Sequence, residues 1–320
     1  MDVSVLVYDG VFDSGLSAAL DVLEAANAMR GELPQPPPAW NVTTIGFGPQ
    51  VRTGAGHIVT TEPAAGADTA DLLLVPALAE RRPDALLERV AGPGLADVRE
   101  LVAGHRGRGA PVASACTGTF LLAESGILDG HRATTTWWLA PLFRRRYPAV
   151  ALDETSMVTT SQGVTTAGAA FGHVDLALAV VRMASPALAD LVARYLVVDE
   201  RPSQSAYTIP SALAQSDPLV AAFERWARRH LDTPNSLAEA ARTLGVSERT
   251  LQRTVRRVLN TTPVRFVQDL RVEQATHLLR TTDLSLETIA RKVGYEHAAT
   301  LRTLLRDRTG TTTAGLRTTR

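Results

Sequence analysis

Two stretches near the end of the chain repeat one another. SLAEAARTLGV (236–246) and SLETIARKVGY (285–295) align with Ala241 opposite Ala290 and Gly245 opposite Gly294, 49 positions apart in each case. Each is a short amphipathic helical pattern, then a glycine, then a second helical pattern. The small alanine lets two helices cross closely, and the glycine permits the turn between them. A chain carrying this pattern twice is confined, over this region, to a pair of helix-turn-helix units. Ser236 with Glu239 forms a capping box for the first helix, and Ser247 can cap the second, expected over residues 248 to about 258. In the later repeat the second helix is expected over residues 298 to about 307.

The two faces of these helices differ in chemistry. Leu251, Val255 and Val258 fall at helical spacing and should face a core. Arg249, Gln252, Arg253 and Arg256 fall on the other side. Arg and Gln near the start of such a helix suit base edges in the major groove of double-stranded DNA. The plainer alternative is a solvated charged face. In the second repeat Leu301, Leu304 and Leu305 are core-like. Its leading positions are Ala298, Ala299, Thr300 and Thr303, which offer apolar contact or a hydroxyl, while Arg302, Arg306 and Arg308 can meet phosphate. The first unit is therefore expected to supply most of the base readout and the second to position the protein.

Charge follows the same division. The 320 residues carry 33 basic and 33 acidic side chains, yet residues 217–320 hold 18 basic and 11 acidic ones. An acidic half joined to a basic half implies that only the second meets a polyanion. Lys292 is the only lysine; the other basic residues are arginines, which bind phosphate and guanine edges bidentately. A GC-rich genome would also favour arginine, but it does not place the surplus at one end.

The first 198 residues alternate between apolar strand candidates and helices. Strands are expected at 2–8, 40–47, 71–75 and 111–115. A hairpin is expected at 158–160 and 164–166, around the turn Ser161-Gln162-Gly163. Helices are expected near 16–26, at 86–103 with a break at Gly92-Pro93-Gly94, at 119–125, 174–183 and 188–198. This alternation implies a three-layer α/β domain, a parallel sheet covered on both faces, followed by an all-α domain. The boundaries read as 1–198, a linker at 199–216 rich in proline and small polar residues, and 217–320. No run of about 18 apolar residues is present, so no membrane span is expected. The N-terminus lacks the pattern of a signal peptide. One cysteine, Cys116, excludes an internal disulfide framework and a cysteine-rich zinc site. A cytoplasmic protein without metal or cofactor is the expectation.

Cys116 sits where a short buried strand runs straight into a helix, among small residues, as in a nucleophile elbow. A thiol there should have its thiolate favoured by the helix dipole. Three readings stay open for it: a small residue filling the elbow, a wall of a ligand pocket, or a reactive thiol. Of the seven histidines only His173 falls plausibly near it, with a packing or helix-start role as the alternative. Arg144-Arg145-Arg146 reads as a solvated helix end, and Trp137-Trp138 either packs under the sheet or forms an interface.

VSERTLQR (246–253), TTPVRFVQDLRVEQATHLL (261–279) and LETIARKVGY (286–295) resemble the AraC/XylS family of transcriptional regulators over about 100 residues. That resemblance implies two helix-turn-helix units joined by a long helix, here 264–279, with recognition helices in successive major-groove segments. It carries base contact to Arg249, Gln252 and Arg253. The family's polar readers in the second recognition helix are replaced by Ala298, Ala299 and Thr303, its usual proline near the end by Thr313, and an aromatic by Leu316.

CTGTFLLAESGILDGHRATTTWW (116–138) and TTAGAAFGHVDLAL (165–178) resemble the ThiJ/PfpI branch of the class I glutamine amidotransferase-like superfamily, over residues 2 to about 198. The resemblance implies a flavodoxin-like fold. Relatives include thiol-dependent deglycases, peptidases and hydratases. This chain departs from them at Thr117, where peptidase relatives have histidine, at Thr136, where many relatives have histidine, and at Gly15, where enzymes often place a carboxylate; Asp13 lies two residues earlier. Asp13, Cys116, Thr117, Thr136 and His173 are thus candidate pocket residues, with Cys116 a vestigial catalytic candidate. The domain order, with RPSQSAYTIP (201–210), is similar to the GlxA group of regulators. It implies a sequence-specific transcription factor whose first domain senses a small molecule or dimerises, and because pairing two DNA modules multiplies effective affinity, a homodimer is expected. The rivals are a thiol-dependent hydrolase, hydratase or deglycase with DNA binding as regulation, and a non-specific nucleoid binder.

Overall fold

A computed structural model describes residues 1–199, 201–204, 209–214, 217–233 and 236–318. Contacts divide the chain into two units, Met1–Ser205 and Ala206–Arg320.

In the first unit seven strands form one sheet in the order β10-β11-β7-β6-β1-β2-β5. They are β1 (Asp2–Leu6), β2 (Asn41–Gly46), β5 (Glu62–Pro63), β6 (Leu72–Val75), β7 (Val112–Ala115), β10 (Val158–Ser161) and β11 (Val164–Ala167). All neighbours run parallel except β10 and β11, the expected hairpin. Its two-residue turn places Gln162 and Gly163 at φ 45° and 81°, the left-handed pair that matches the twist of a tight hairpin. Two small ribbons, β3 (Gln50–Arg52) with β4 (Ile58–Thr60) and β8 (Arg132–Ala133) with β9 (Ala151–Leu152), have no apolar alternation long enough to read from sequence.

Alternate strand residues face opposite layers. Val3, Val5, Leu72, Leu74, Ala113 and Ala115 pack with α1 (Asp13–Met29), α6 (Gly172–Ala184) and α7 (Pro186–Tyr195). Leu6, Leu73, Val75 and Val112 pack with α2 (Pro83–Ala91), α3 (Ala96–Gly107), α4 (Gly118–Glu124) and α5 (Ala140–Arg146). The continuous apolar runs of β1, β6 and β7 are what burial on both faces demands. At the end of α5 only Arg145 and Arg146 are exposed; Arg144 is half-buried and paired with Glu154, so the expected solvated triplet is two residues. Trp137 and Trp138 meet edge to face at 5.6 Å, with Trp138 exposed.

The second unit is helical throughout its described residues. It contains α8 (Pro210–Ala214), α9 (Pro218–Arg229), α10 (Leu237–Thr243), α11 (Glu248–Leu259), α12 (Pro263–Thr281), α13 (Leu286–Lys292), α14 (Ala298–Thr309) and α15 (Thr313–Thr318). It has two cores. Val220, Phe223, Trp226, Leu251, Val255 and Val258 pack with the first half of α12 through Phe266 and Leu270. Ile289, Leu301, Leu305 and Leu316 pack with its second half through Val272, Ala275 and Leu279. Leu316 is thus a core residue despite not being aromatic, and Thr312 Oγ1, accepting from the Gly315 amide at 3.2 Å, supports the last helix without a proline at 313.

Within the stretch read as a linker, residues 201–204 pack on the first unit. Arg201 clasps the Asp175 carboxylate and the Phe171 carbonyl. Gln204 is fully buried, donating to the Thr135 carbonyl at 2.9 Å and accepting from the Trp137 amide at 3.1 Å. Composition reads these polar residues as part of a linker because it cannot see the buried backbone groups they satisfy. Residues 200, 205–208, 215 and 216 of that stretch lie outside the described residues. Among the described residues no helix is long and apolar enough to cross a membrane. Nor does any group of three or more His, Cys, Asp or Glu there suit a metal ion.

Candidate DNA-reading face and the cysteine elbow

Both helix-turn-helix units form as the repeat requires. Ser236, Ser247 and Ser285 each cap a helix, accepting from the amides of Glu239, Thr250 and Thr288. Each such cap contributes about 1 kcal/mol. Ala240, Ala241 and Ala290 are buried where the helices cross. Gly245 and Gly294 take φ +69° and +78° at the two turns. They differ in what surrounds them. A Cβ on Gly245 would meet nothing within 4 Å, whereas one on Gly294 would lie 2.1 Å from the Leu231 carbonyl oxygen. Gly245 serves conformation alone, and Gly294 also serves a close approach.

Along α11, Leu251, Val255 and Val258 are buried, and Arg249, Gln252, Arg253 and Arg256 are exposed together on the opposite side. None of these four enters an ion pair among the described residues, unlike Arg257, which pairs with Asp217 at 2.8 Å. Along α14, Thr300, Arg302, Thr303 and Arg306 are exposed. Arg308 is not available in the same way: it is held to Asp269 of α12 at 3.0 Å and is mostly covered, which corrects its reading as a phosphate contact. Leu304, read as core, is only partly buried at the rim of the second core.

The elbow is formed as well. Cys116 stands at φ 56°, a strained left-handed position for a residue with a side chain, between β7 and α4. Its amide donates to the Ala167 carbonyl at 2.8 Å, and its carbonyl accepts from the Thr135 hydroxyl at 2.8 Å. Gly118 is required just beyond it, because a Cβ there would sit 2.4 Å from Ser114 Oγ and 2.8 Å from the Pro76 carbonyl oxygen.

The side chains at that elbow are buried. Burial pushes the Cys116 thiol up to about 12, against the smaller pull of the Thr117 amide and the hydroxyls of Thr136 and Thr117. The expectation of a favoured thiolate is therefore overturned: the cost of desolvating the sulfur anion outweighs the short helix that follows. Thr117 spends its hydroxyl on the Leu78 carbonyl at 2.7 Å. Thr136 is fully buried; its hydroxyl lies near enough to the sulfur to favour the anion slightly, without the geometry of a hydrogen bond. His173 is fully buried too. Its Nδ1 donates to the Ala170 carbonyl at 2.8 Å and its Nε2 accepts from the Ala77 amide at 3.1 Å. Burial lowers it to about 4, so the ring is neutral and both nitrogens are taken.

Gly15 explains where the ring fits. A Cβ at that position would lie 2.5 Å from Cε1 and 2.7 Å from Nε2 of His173. The imidazole occupies the room that a side chain at 15 would need, so a carboxylate there and this histidine are mutually exclusive. Asp13 does not replace it. Its carboxylate accepts from the Thr53 hydroxyl, the Ala55 amide at 2.8 Å and His57 Nδ1 at 2.7 Å, all in the turn that joins β3 to β4. Burial by itself would push its pKa up, but those hydrogen bonds outweigh it and hold the carboxyl below the usual range. Sequence reasoning missed Tyr8, which is buried within electrostatic reach of the thiol and donates to the Pro76 carbonyl. Its only signal was its place at the end of the first strand candidate.

Comparison with known proteins adds a second line of observation. Residues 1–183 match the DJ-1/PfpI family, and residues 240–319 match a helix-turn-helix domain. The chain is 28% identical over 297 residues to the HTH-type transcriptional regulator CdhR of Pseudomonas aeruginosa, covering 91% of this chain and 84% of that one. It is 24% identical over 193 residues to the HTH-type transcriptional regulator GbdR of the same species, covering 59% of this chain and about half, 52%, of the relative. In fold, it is similar to an AraC family transcriptional regulator from Pseudomonas putida, with TM-score 0.51 and 20% identity over 61% of this chain and 98% of the other.

Proposed function

We propose, from the premise that the chain belongs to the DJ-1/PfpI family and carries a helix-turn-helix domain behind that region, that it is a sequence-specific DNA-binding transcription regulator. The observation that carries this reading is the unpaired, exposed set Arg249, Gln252, Arg253 and Arg256 on the helix after a glycine turn. Four long polar side chains that enter no ion pair among the described residues are poised for an external one. Guanidinium forks match guanine O6 and N7, and Gln matches adenine. Thr300, Arg302, Thr303 and Arg306 form the corresponding surface on the second unit. CdhR, a regulator by name, aligns across both parts of the chain, which supports the same reading.

The first unit acts as a sensing or dimerising domain and not as a catalyst. What supports this is the protonated, buried thiol and the imidazole with both nitrogens engaged. Double-stranded DNA is the partner, and a homodimer doubles the grip by raising effective concentration at paired sites. A small molecule or partner regulates only by binding the DNA-competent state differently from the other.

The test is selection of a duplex from a random pool by the full chain, followed by competition. A selected duplex should outcompete a scrambled one by about 10³ or more. Arg253→Ala should lose roughly 10- to 100-fold in affinity for it, the worth of one bidentate base contact. Equal displacement by the scrambled duplex overturns the reading.

A further inference from the structure

The two recognition helices can be superposed by their cores rather than by their turns. Leu251 and Val255 correspond to Leu301 and Leu305, all four fully buried, at an offset of 50 rather than the 49 of the turn glycines. The second turn is one residue longer, with His297 at the helix start where the first has Ser247. Matched this way, Ala299 and Thr303 stand where Arg249 and Arg253 stand, Thr300 where Thr250 stands, and Arg306 where Arg256 stands. All of these except the half-buried Thr250 are exposed.

At two of the three positions where the first unit presents guanidinium groups, the second thus presents short side chains, and only Arg306 keeps the charge. Thr303 has also spent its hydroxyl, which donates to the Ala299 carbonyl at 3.2 Å. What remains outward is a pair of methyl groups one helical turn apart, flanked by Arg302 and Arg306. A methyl pressed on a guanine or adenine edge would strip water from donors and acceptors and return nothing. The one apolar group on a base edge in the major groove is the thymine C5-methyl.

We propose that Ala299 and Thr303 read thymine methyl groups, so that the second half-site is specified by thymine where the first is specified by guanine. This rests on the reading that both helices enter the major groove. Arg302 and Arg306 hold the phosphates that frame the contact.

The experiment uses the full chain and the duplex selected above. The half-site whose guanine preference relaxes in Arg253→Ala is the first. Each thymine outside it is then replaced singly by deoxyuridine, which removes only the methyl. One or two of these replacements should weaken binding about threefold to tenfold, the worth of a buried methyl contact. Thr303→Ser, which keeps the hydroxyl, should lose a similar factor and become insensitive to one of those replacements. If every deoxyuridine duplex binds like the parent, the thymine reading is overturned while DNA specificity stands. If no duplex is selected at all, the failure lies with the proposed function itself.

Discussion

At the elbow, Cys116, Thr117 and His173 are each no more than 4% exposed, and the oxygen and nitrogen atoms of the last two are bound to backbone groups of the same unit. On α11, Arg249, Gln252, Arg253 and Arg256 are exposed and carry no ion pair among the described residues. Both regions keep the backbone geometry that function elsewhere requires: a strained strand-to-helix turn in one, a glycine turn and capped helix in the other. Backbone geometry alone therefore does not separate the two regions. The state of the polar atoms does. A group whose hydrogen bonds close within the fold must give one up to engage a substrate, whereas an exposed group without an internal partner has none to give up.

Acid attacks this contrast most strongly. His173, depressed by burial from an ordinary 6.5 to about 4, takes up no proton in the folded unit while the unfolded chain does. Its contribution is intact above pH 6.5 and is lost as pH falls toward 4, an amount of about 3 kcal/mol. Urea unfolding of the first unit, followed between pH 7 and 4, should show this loss, and His173→Gln should flatten it. An unchanged slope in that variant means the ring is solvated. Next in size is thiol protection. At pH 8 the native Cys116 should react with a disulfide reagent at least about 100-fold more slowly than in urea, as a buried protonated thiol must. Reaction at the free-thiol rate would reopen the enzyme reading. The smallest effect is on stability at the other face. Arg249→Ala with Arg253→Ala should shift folding free energy by no more than about 0.5 kcal/mol, because neither side chain enters an ion pair among the described residues. A larger loss would show that these arginines serve the fold.

The strands at 2–8, 71–75 and 111–115 were legible because burial on both faces leaves a run of apolar residues that no surface segment carries. The repeat was legible because Ala241, Ala290, Gly245 and Gly294 each answer a steric demand that few residues meet. Three things were not. The burial of the elbow, with Tyr8 near the thiol and His173 fitted against Gly15, joins residues up to 158 positions apart in the case of the last pair. The loss of Arg308 to Asp269 required knowing that α14 lies on α12. The longer second turn is hidden because the glycines align first, and only the buried leucines reveal the shift.

One helix, α12, belongs to both cores, giving Phe266 and Leu270 to the first and Val272, Ala275 and Leu279 to the second. At 1.5 Å and 100° per residue, its length sets the spacing and the phase between the two reading heads. A single inserted residue would swing one head by more than a quarter of a circle while leaving every local contact chemically reasonable. This axle therefore tolerates exchange of its outward side chains far better than any change in their number.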